Sequence, residues 1–260
     1  MCGICGYLSK TPVDSAVLDR MTDLLTHRGP DDRGIRITEH GDWQIGLGHR
    51  RLSILDLSPA GHQPMSDDSG RYTIVFNGEI YNYRELYDRI SGCALHSTSD
   101  TEVLLQMYIR YGTGCLEYLN GMFAFAIYDR DENTLFLARD RMGEKPLYYH
   151  AADGRFLFAS ELKSILAYPD FEARIDRESL LQYFGSNYIH PPYTIFQNTH
   201  KLCAGEYLIW SEEGIQTGRY FDPVDSYYSG MEDRGQSYTE CRKKLKELLY
   251  DSVEKRLISD

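Results

Sequence analysis

The sequence predicts an α+β fold. Short β-prone runs cluster between turn signals, only a few helical stretches interrupt them, and the two kinds of element do not alternate as βαβ units would. From the N-terminus, Asp14 is placed to cap a helix with Val17, Met21, Leu24 and Leu25 on one face, and Gly29-Pro30 stops it. Tyr72 to Phe76, Met122 to Tyr128, Thr134 to Ala138, Arg155 to Ala159 and Glu206 to Trp210 read as short strands. The turn residues Asp129-Arg130-Asp131-Glu132-Asn133 separate the second from the third. Ser99-Asp100-Thr101-Glu102 reads as a capping box opening a helix through Val103, Leu104, Met107 and Tyr108 to Gly112, and Asp176 to Phe184 as another helix. Between Ser211 and Gln236 the composition turns polar and aromatic, which suits an extended connection. Beyond it Ser237-Tyr238-Thr239-Glu240 forms a second capping box, before a helix with Cys241, Leu245, Leu248, Leu249, Ser252, Val253 and Leu257 on one face. The expected organisation is a first domain over 1–210, a linker over 211–236, and over 237–260 the opening helix of a second domain that the sequence cuts short.

Composition narrows the function classes. The 260 residues carry 28 Lys plus Arg against 39 Asp plus Glu, and a net charge of −11 argues against a nucleic-acid partner. No apolar run approaches the ~18 residues of a membrane-spanning helix, and Met1-Cys2-Gly3-Ile4-Cys5-Gly6 lacks the layout of an export signal, so the cytoplasm is the expected compartment. Six cysteines are too sparse for a disulfide scaffold and are expected as thiols. The eight histidines show no metal-ligand spacing, so no metal is expected.

Cys2 is the sharpest chemical feature. Removal of Met1 would leave a thiol and a free α-amino group on one residue, and such a residue contains its own general base, because an α-amine titrates near ~7.7–8.0 and a thiol near ~8.5. Taken alone, Cys2 is also readable as a second-position cysteine with no role, and Cys2-x-x-Cys5 as a redox or metal pair without its usual second half. Gly48-His49-Arg50-Arg51-Leu52-Ser53-Ile54 and Phe76-Asn77-Gly78-Glu79-Ile80-Tyr81-Asn82 each set polar groups at the end of an apolar run, where a strand can present them to a cleft. In isolation Asn77-Gly78 reads as a tight turn and Arg51 as a surface cation. Ser160-x-x-Lys163 has the form of a serine acyl-enzyme motif but lacks its companions and reads as a helix start.

Taken in order, Met1-Cys2-Gly3-Ile4-Cys5-Gly6, His27-Arg28-Gly29-Pro30-Asp31, His49-Arg50-Arg51-Leu52-Ser53-Ile54, Asn77-Gly78-Glu79-Ile80-Tyr81-Asn82, Ser99-Asp100-Thr101-Glu102 and Leu137-Ala138-Arg139-Asp140-Arg141-Met142-Gly143 resemble the glutaminase half of the asparagine synthetases. The resemblance continues through Pro146-Leu147-Tyr148-Tyr149, Phe158-Ala159-Ser160-Glu161-Leu162-Lys163 and Pro191-Pro192-Tyr193-Thr194-Ile195-Phe196. It implies a class II glutamine amidotransferase domain of the N-terminal-nucleophile type, a four-layer αββα sandwich of two antiparallel sheets.

Carried over by motif, Cys2 is the nucleophile that attacks the side-chain amide of L-glutamine, giving ammonia and a glutamyl thioester that water hydrolyses. Asn77 and Gly78 supply the oxyanion donors, and Arg51, Leu52, Ile54, Asn77, Gly78, Glu79 and Asp100 form the glutamine site. The residue types suit these roles. A guanidinium fork fits the α-carboxylate, and Asp100 suits the α-ammonium if its carboxylate points into the cleft, leaving Ser99 to cap the helix alone. The resemblance further implies ATP and Mg in a synthetase domain absent from this sequence, with aspartate or another carboxylate as acceptor, and it leaves a homodimer open. The wall of the ammonia route and the domain interface would come from the segments around Arg141 to Tyr149 and Ser160 to Lys163. Leu202-Cys203-Ala204-Gly205 departs from the family's usual Leu-Pro-Pro-Gly.

Overall fold

Strands that are buried on both faces organise the molecule. The computed structural model describes every residue except 153, 232–234, 236 and 258–260. In chain order the described elements are β1 (Gly3–Ser9), α1 (Ser15–Asp23), β2 (Asp32–His40), β3 (Trp43–Arg51), β4 (Met65–Ser66), β5 (Tyr72–Ile80) and α2 (Asp100–Tyr111). There follow β6 (Gly121–Asp129), β7 (Thr134–Arg139), β8 (Tyr148–Ala152), β9 (Arg155–Ala159), α3 (Leu162–Leu166) and α4 (Arg177–Ser186). Last come β10 (Thr199–Lys201), β11 (Glu206–Ser211), β12 (Gly214–Arg219), α5 (Pro223–Met231) and α6 (Tyr238–Lys255). The strands form two antiparallel sheets, one ordered β10-β8-β9-β1-β3-β2 and the other β12-β11-β7-β6-β5-β4.

Alternation along the strands builds three cores from two sheets. In β1, Ile4 and Leu8 face the other sheet, where Val75, Ala124 and Ala126 meet them beside Phe156 and Phe158 of the neighbouring β9, while Cys5 and Tyr7 face α1 and α3 with Val17, Leu18, Met21 and Ile165. In β6, Phe123, Phe125 and Ile127 face α2 with Leu104 and Met107, while Ala124 and Ala126 let the sheets approach. Helix, sheet, sheet and helix are thus stacked as the resemblance implied.

The double burial explains why β1 and β3 escape a reading by periodicity. β1 shows no apolar-polar alternation, β3 sets glycines rather than a polar face between Ile45 and Leu47 and after it, and glycines are poor strand formers. Those glycines make room for rings: a Cβ at Gly6 would overlap the Phe158 ring, and one at Gly46 the Tyr7 ring.

Elsewhere the structure redraws several sequence-based expectations. Asp14 caps α1, accepting from the Ala16 N–H at 2.8 Å, but the buried face is Val17, Leu18, Met21 and Thr22. Leu24 is 40% exposed, and the helix ends at Asp23, ahead of Gly29-Pro30, because its last turn closes through the Leu24 N–H on Arg20 O. Ser99 caps α2 through the Thr101 N–H at 3.1 Å, yet the reciprocal half of the box is missing: Glu102 turns back to accept from the backbone N–H groups of His96 and Ser97. The stretch expected as a linker instead contains β12, paired with β11 along its length, and α5. Tyr220 packs on the α2 core and donates to Arg139 O at 2.7 Å, which ties this stretch to the body. Ser237 and Glu240 do form a complete capping box at α6, whose Leu245, Leu248, Leu249 and Val253 are exposed.

Candidate active site

The alternation that fills the space between the sheets also aims the polar groups. Cys2 shares the face of Ile4 and Leu8, His49 and Arg51 share that of Ile45 and Leu47, and Asn77 shares that of Val75. At this end of the sandwich the apolar core gives way to a cavity of about 120 Å³. Its walls bring together all the residues expected from sequence: Cys2, Arg51, Leu52, Ile54, Asn77, Gly78, Glu79 and Asp100. Asn77-Gly78 is not a turn but the interior of β5.

Cys2 is held from two sides. Its Sγ lies 3.4 Å from the Leu52 N–H and 3.7 Å from Leu52 O, and Arg28 Nε donates to its carbonyl at 2.9 Å. Burial pushes the thiol up from its ordinary pKa, with the Leu52 N–H opposing, so the resting sulfur keeps its proton. Arg28 is itself tied to Glu161, which also binds His27 and Lys163. Burial alone would raise the Glu161 carboxyl, but the hydrogen bonds from Lys163, His27 and Arg28 hold it down at about 2.

Arg51 is only 7% exposed, and its guanidinium donates to three carbonyls: Leu55 O at 2.9 Å, Asp56 O at 2.5 Å and Ser58 O at 3.3 Å. Gly61 lacks the Cβ that would collide with it. No carboxylate among the described residues pairs with this buried cation, so its charge is free to meet an anion in the cavity.

Asn77 is fully buried, and both ends of its side-chain amide, Nδ2 and Oδ1, lack a hydrogen-bond partner. A buried amide without partners costs about 1–3 kcal/mol, which marks a group kept for a ligand. The neighbouring backbone is equally selective. Phe76 and Ile80 both send their N–H groups away from β6, to the Gln63 Oε1 at 2.7 Å and to the Asp100 Oδ2 at 2.8 Å. Gly78 has the same parity, so its N–H points to the same edge, and nothing among the described residues caps it. Its missing Cβ is required as well, since one would collide with Met122 O.

Asp100 turns inward because Ser99 caps α2 without it. Burial pushes its carboxyl up to about 7, helped by the negative charge of Glu79 and opposed by the Ile80 N–H. Glu79 is also raised by burial, and Lys145 opposes that shift.

Sequence reasoning missed several lining residues, among them Met1, Gln63, Thr101, Met122 and Lys145. Lys145 is 4% exposed, and burial lowers its pKa against the charge of Glu79. A pinned loop carries it: Asp140 accepts from the N–H groups of Met142, Glu144 and Lys145, while Arg139 donates to the carbonyls of Gly143, Lys145 and Leu202. The Arg139-Asp140 dipeptide was the available signal, since adjacent charges at the end of an apolar strand can each brace the loop that follows, as they do here through its backbone. Gly205, in the segment that departs from the usual pattern, keeps its turn with φ +68°. Among the described residues no three His, Cys, Asp or Glu side chains stand together as a metal site, and no helix is long and apolar enough to cross a membrane.

Residues 1–221 match the sequence profile of the glutamine amidotransferase domain family. Over its whole length the chain is 39% identical to asparagine synthetase [glutamine-hydrolyzing] 3 of Bacillus subtilis (strain 168), covering 42% of that protein. It is also 39% identical over its whole length to a putative asparagine synthetase [glutamine-hydrolyzing] 2 of Methanocaldococcus jannaschii, covering 53% of it. The chain thus spans about half the length of these relatives. In fold it is similar to a glutamine phosphoribosylpyrophosphate amidotransferase from B. subtilis, with a TM-score of 0.61 and 20% identity over 85% of this chain and 49% of that one.

Proposed function

The chain belongs to the class II glutamine amidotransferase family, and from that premise we propose that it hydrolyses the side-chain amide of L-glutamine at Cys2. The observation that carries this reading is the unpartnered Asn77 amide beside the uncapped Gly78 N–H, in the same cavity as Cys2. Two donors without partners are what a developing oxyanion requires.

The chemistry balances within the chain once Met1 is removed. The Cys2 α-amine takes the thiol proton, Sγ bonds to the glutamine Cδ, and the carbonyl oxygen becomes an oxyanion facing Asn77 Nδ2 and the Gly78 N–H. As the tetrahedral adduct collapses, the C–N bond breaks, the α-ammonium returns its proton to the departing nitrogen, and ammonia and a glutamyl thioester remain. Water gives a proton to the amine and adds to the thioester, the C–S bond breaks as that adduct collapses, and the thiolate takes the proton back from the α-ammonium as glutamate leaves. With Met1 in place the free amine is displaced by one residue, and Met1 lines the cavity. Arg51 holds the α-carboxylate and Asp100 the α-ammonium.

The Arg51 role is tested by a KM-against-kcat split. Arg51→Lys loses the planar fork, and a hydrogen bond to a charged group is worth about 1.5–3 kcal/mol, so KM for glutamine rises roughly 10- to 100-fold. Glutamate-release kinetics should show kcat changing far less. A KM within twofold of the original would remove Arg51 from the site.

Asp100 makes binding pH-dependent. A neutral carboxyl cannot hold an ammonium, so glutamine affinity increases as pH rises through about 7, where Asp100 loses its proton. Titration calorimetry on a Cys2→Ala chain isolates this from the catalytic base, and Asp100→Asn flattens the profile. The stability effect has the opposite sign. Because the folded-state pKa is raised, stability is lost as pH climbs from the ordinary carboxylate range towards 7. Asp100→Asn therefore raises Tm at pH 8 and leaves it nearly unchanged at pH 4, a trade of stability for recognition.

In a protein of the relatives' length, the ammonia would serve an ATP- and Mg-dependent amidation. Relatives named as asparagine synthetases support aspartate as the acceptor. An amidase of Penicillium rubens, 39% identical over 74% of this chain, supports as the second reading an N-terminal-cysteine amide hydrolase with another substrate.

A further inference from the structure

We propose that Gln63 and His49 are positioning residues for the oxyanion donors: together they replace the strand that β5 lacks at its open edge and so fix where Asn77 and Gly78 point. The inference rests on the glutaminase reading.

The edge strand β4 is only two residues long, pairing Met65 with Ile74 and Ser66 with Thr73. Extended by two positions, the same register would set Gln63 opposite Phe76. The backbone does not continue, since Pro64 has no N–H to offer a ladder. The Gln63 side chain takes over. Its Oε1 accepts from the Phe76 N–H at 2.7 Å, as a strand carbonyl would, and its Nε2 donates to Thr101 Oγ1 at 3.1 Å, next to Asp100 on α2. At the carbonyl of the same residue, His49 Nε2 lies 3.0 Å from Phe76 O. A carbonyl only accepts, so Nε2 carries the proton. Burial pushes the imidazole pKa down to about 4, and the ring is neutral at working pH.

Both backbone groups of Phe76 are therefore held by buried side chains, Gln63 at 4% and His49 at 0% exposure, one residue before Asn77. A purely structural cap would need no such double hold on an edge that opens, at the next free N–H, into the cavity. The amide of Gln63 also joins the polarising end of the site to the helix that carries Asp100. Both residues act through Asn77 and Gly78 and touch neither the scissile bond nor the sulfur.

The test is a double-mutant cycle on glutamate release by the full chain. Misplacing a catalytic donor by about 1 Å costs on the order of 10²-fold in rate, so Gln63→Met lowers kcat roughly 10- to 100-fold while KM stays within about threefold. In an Asn77→Ala background, where the main donor is already gone, the same substitution costs less than about threefold, because the two act as a unit. If Gln63→Met does not fold, as read by thermal unfolding, His49→Leu carries the same expectation at the Phe76 carbonyl. An unchanged kcat, a rise in KM alone, or an equal loss in both backgrounds overturns the proposal. A parent chain that releases no glutamate overturns the glutaminase reading and this inference with it.

Discussion

Glutamate release from L-glutamine is expected to fall by roughly 10⁴-fold or more when Cys2 becomes alanine, with the fold intact. The sulfur is the only heavy atom lost, and its hydrogen-bond contacts are two long ones to Leu52. Arg28 keeps its bond to the residue-2 carbonyl, and β1 starts only at Gly3, so no ladder pair is disturbed. The expected thermal midpoint is therefore that of the parent chain, and glutamine still binds, since Arg51 and Asp100 are untouched. Activity retained by this variant would refute covalent catalysis at Cys2. A collapse of the fold would show that the thiol is structural.

The second large effect falls on Asn77. Removing one oxyanion donor costs about 10²- to 10³-fold in kcat, so Asn77→Ala should show that loss with KM little changed, because the donor acts on charge that develops after binding. The same substitution deletes a buried amide with no partner, which costs about 1–3 kcal/mol in the parent. Stability should therefore hold or rise while the rate falls. Paired urea unfolding and steady-state kinetics read both at once. A variant that loses stability and keeps its rate would make Asn77 a packing residue.

What could be read from the sequence follows from how each residue is held. Cys2, Arg51, Asn77 and Asp100 stand in compact motifs whose order carries the family resemblance; inner-face parity leading into β1 and along β3 and β5 brings the first three together, and Asp100 joins them from the first position of α2. Asp100 could be separated from helix capping by reasoning alone, because Ser99 is a sufficient cap, and Glu102 proved to brace the preceding loop. Hairpins with polar turns, such as β6 and β7 around Asp129 to Asn133, were visible. β1 and β3 were not, since burial on both faces erases the period-two signal and glycines opposite aromatic rings lower the apparent strand propensity. β12 was missed for the opposite reason: its residues are mostly exposed and polar, and only pairing with β11 makes it a strand. Gln63 carries no local pattern, and Lys145 none beyond the Arg139-Asp140 pair just ahead of it. Their places depend on the Phe76 N–H, which the Gln63 side chain reaches across the end of β4, and on a loop pinned by Arg139 and Asp140, which Arg139 ties to the distant Leu202 carbonyl.

In the proposed reaction Cys2 attacks with its own α-amine as base. The most direct measurement is glutamate release by purified chain whose Met1-free fraction is determined by intact mass on the same samples, across preparations processed to different extents. Turnover proportional to the Met1-free fraction, and absent where Met1 is retained, is the predicted result. Equal turnover by molecules that keep Met1 would contradict it.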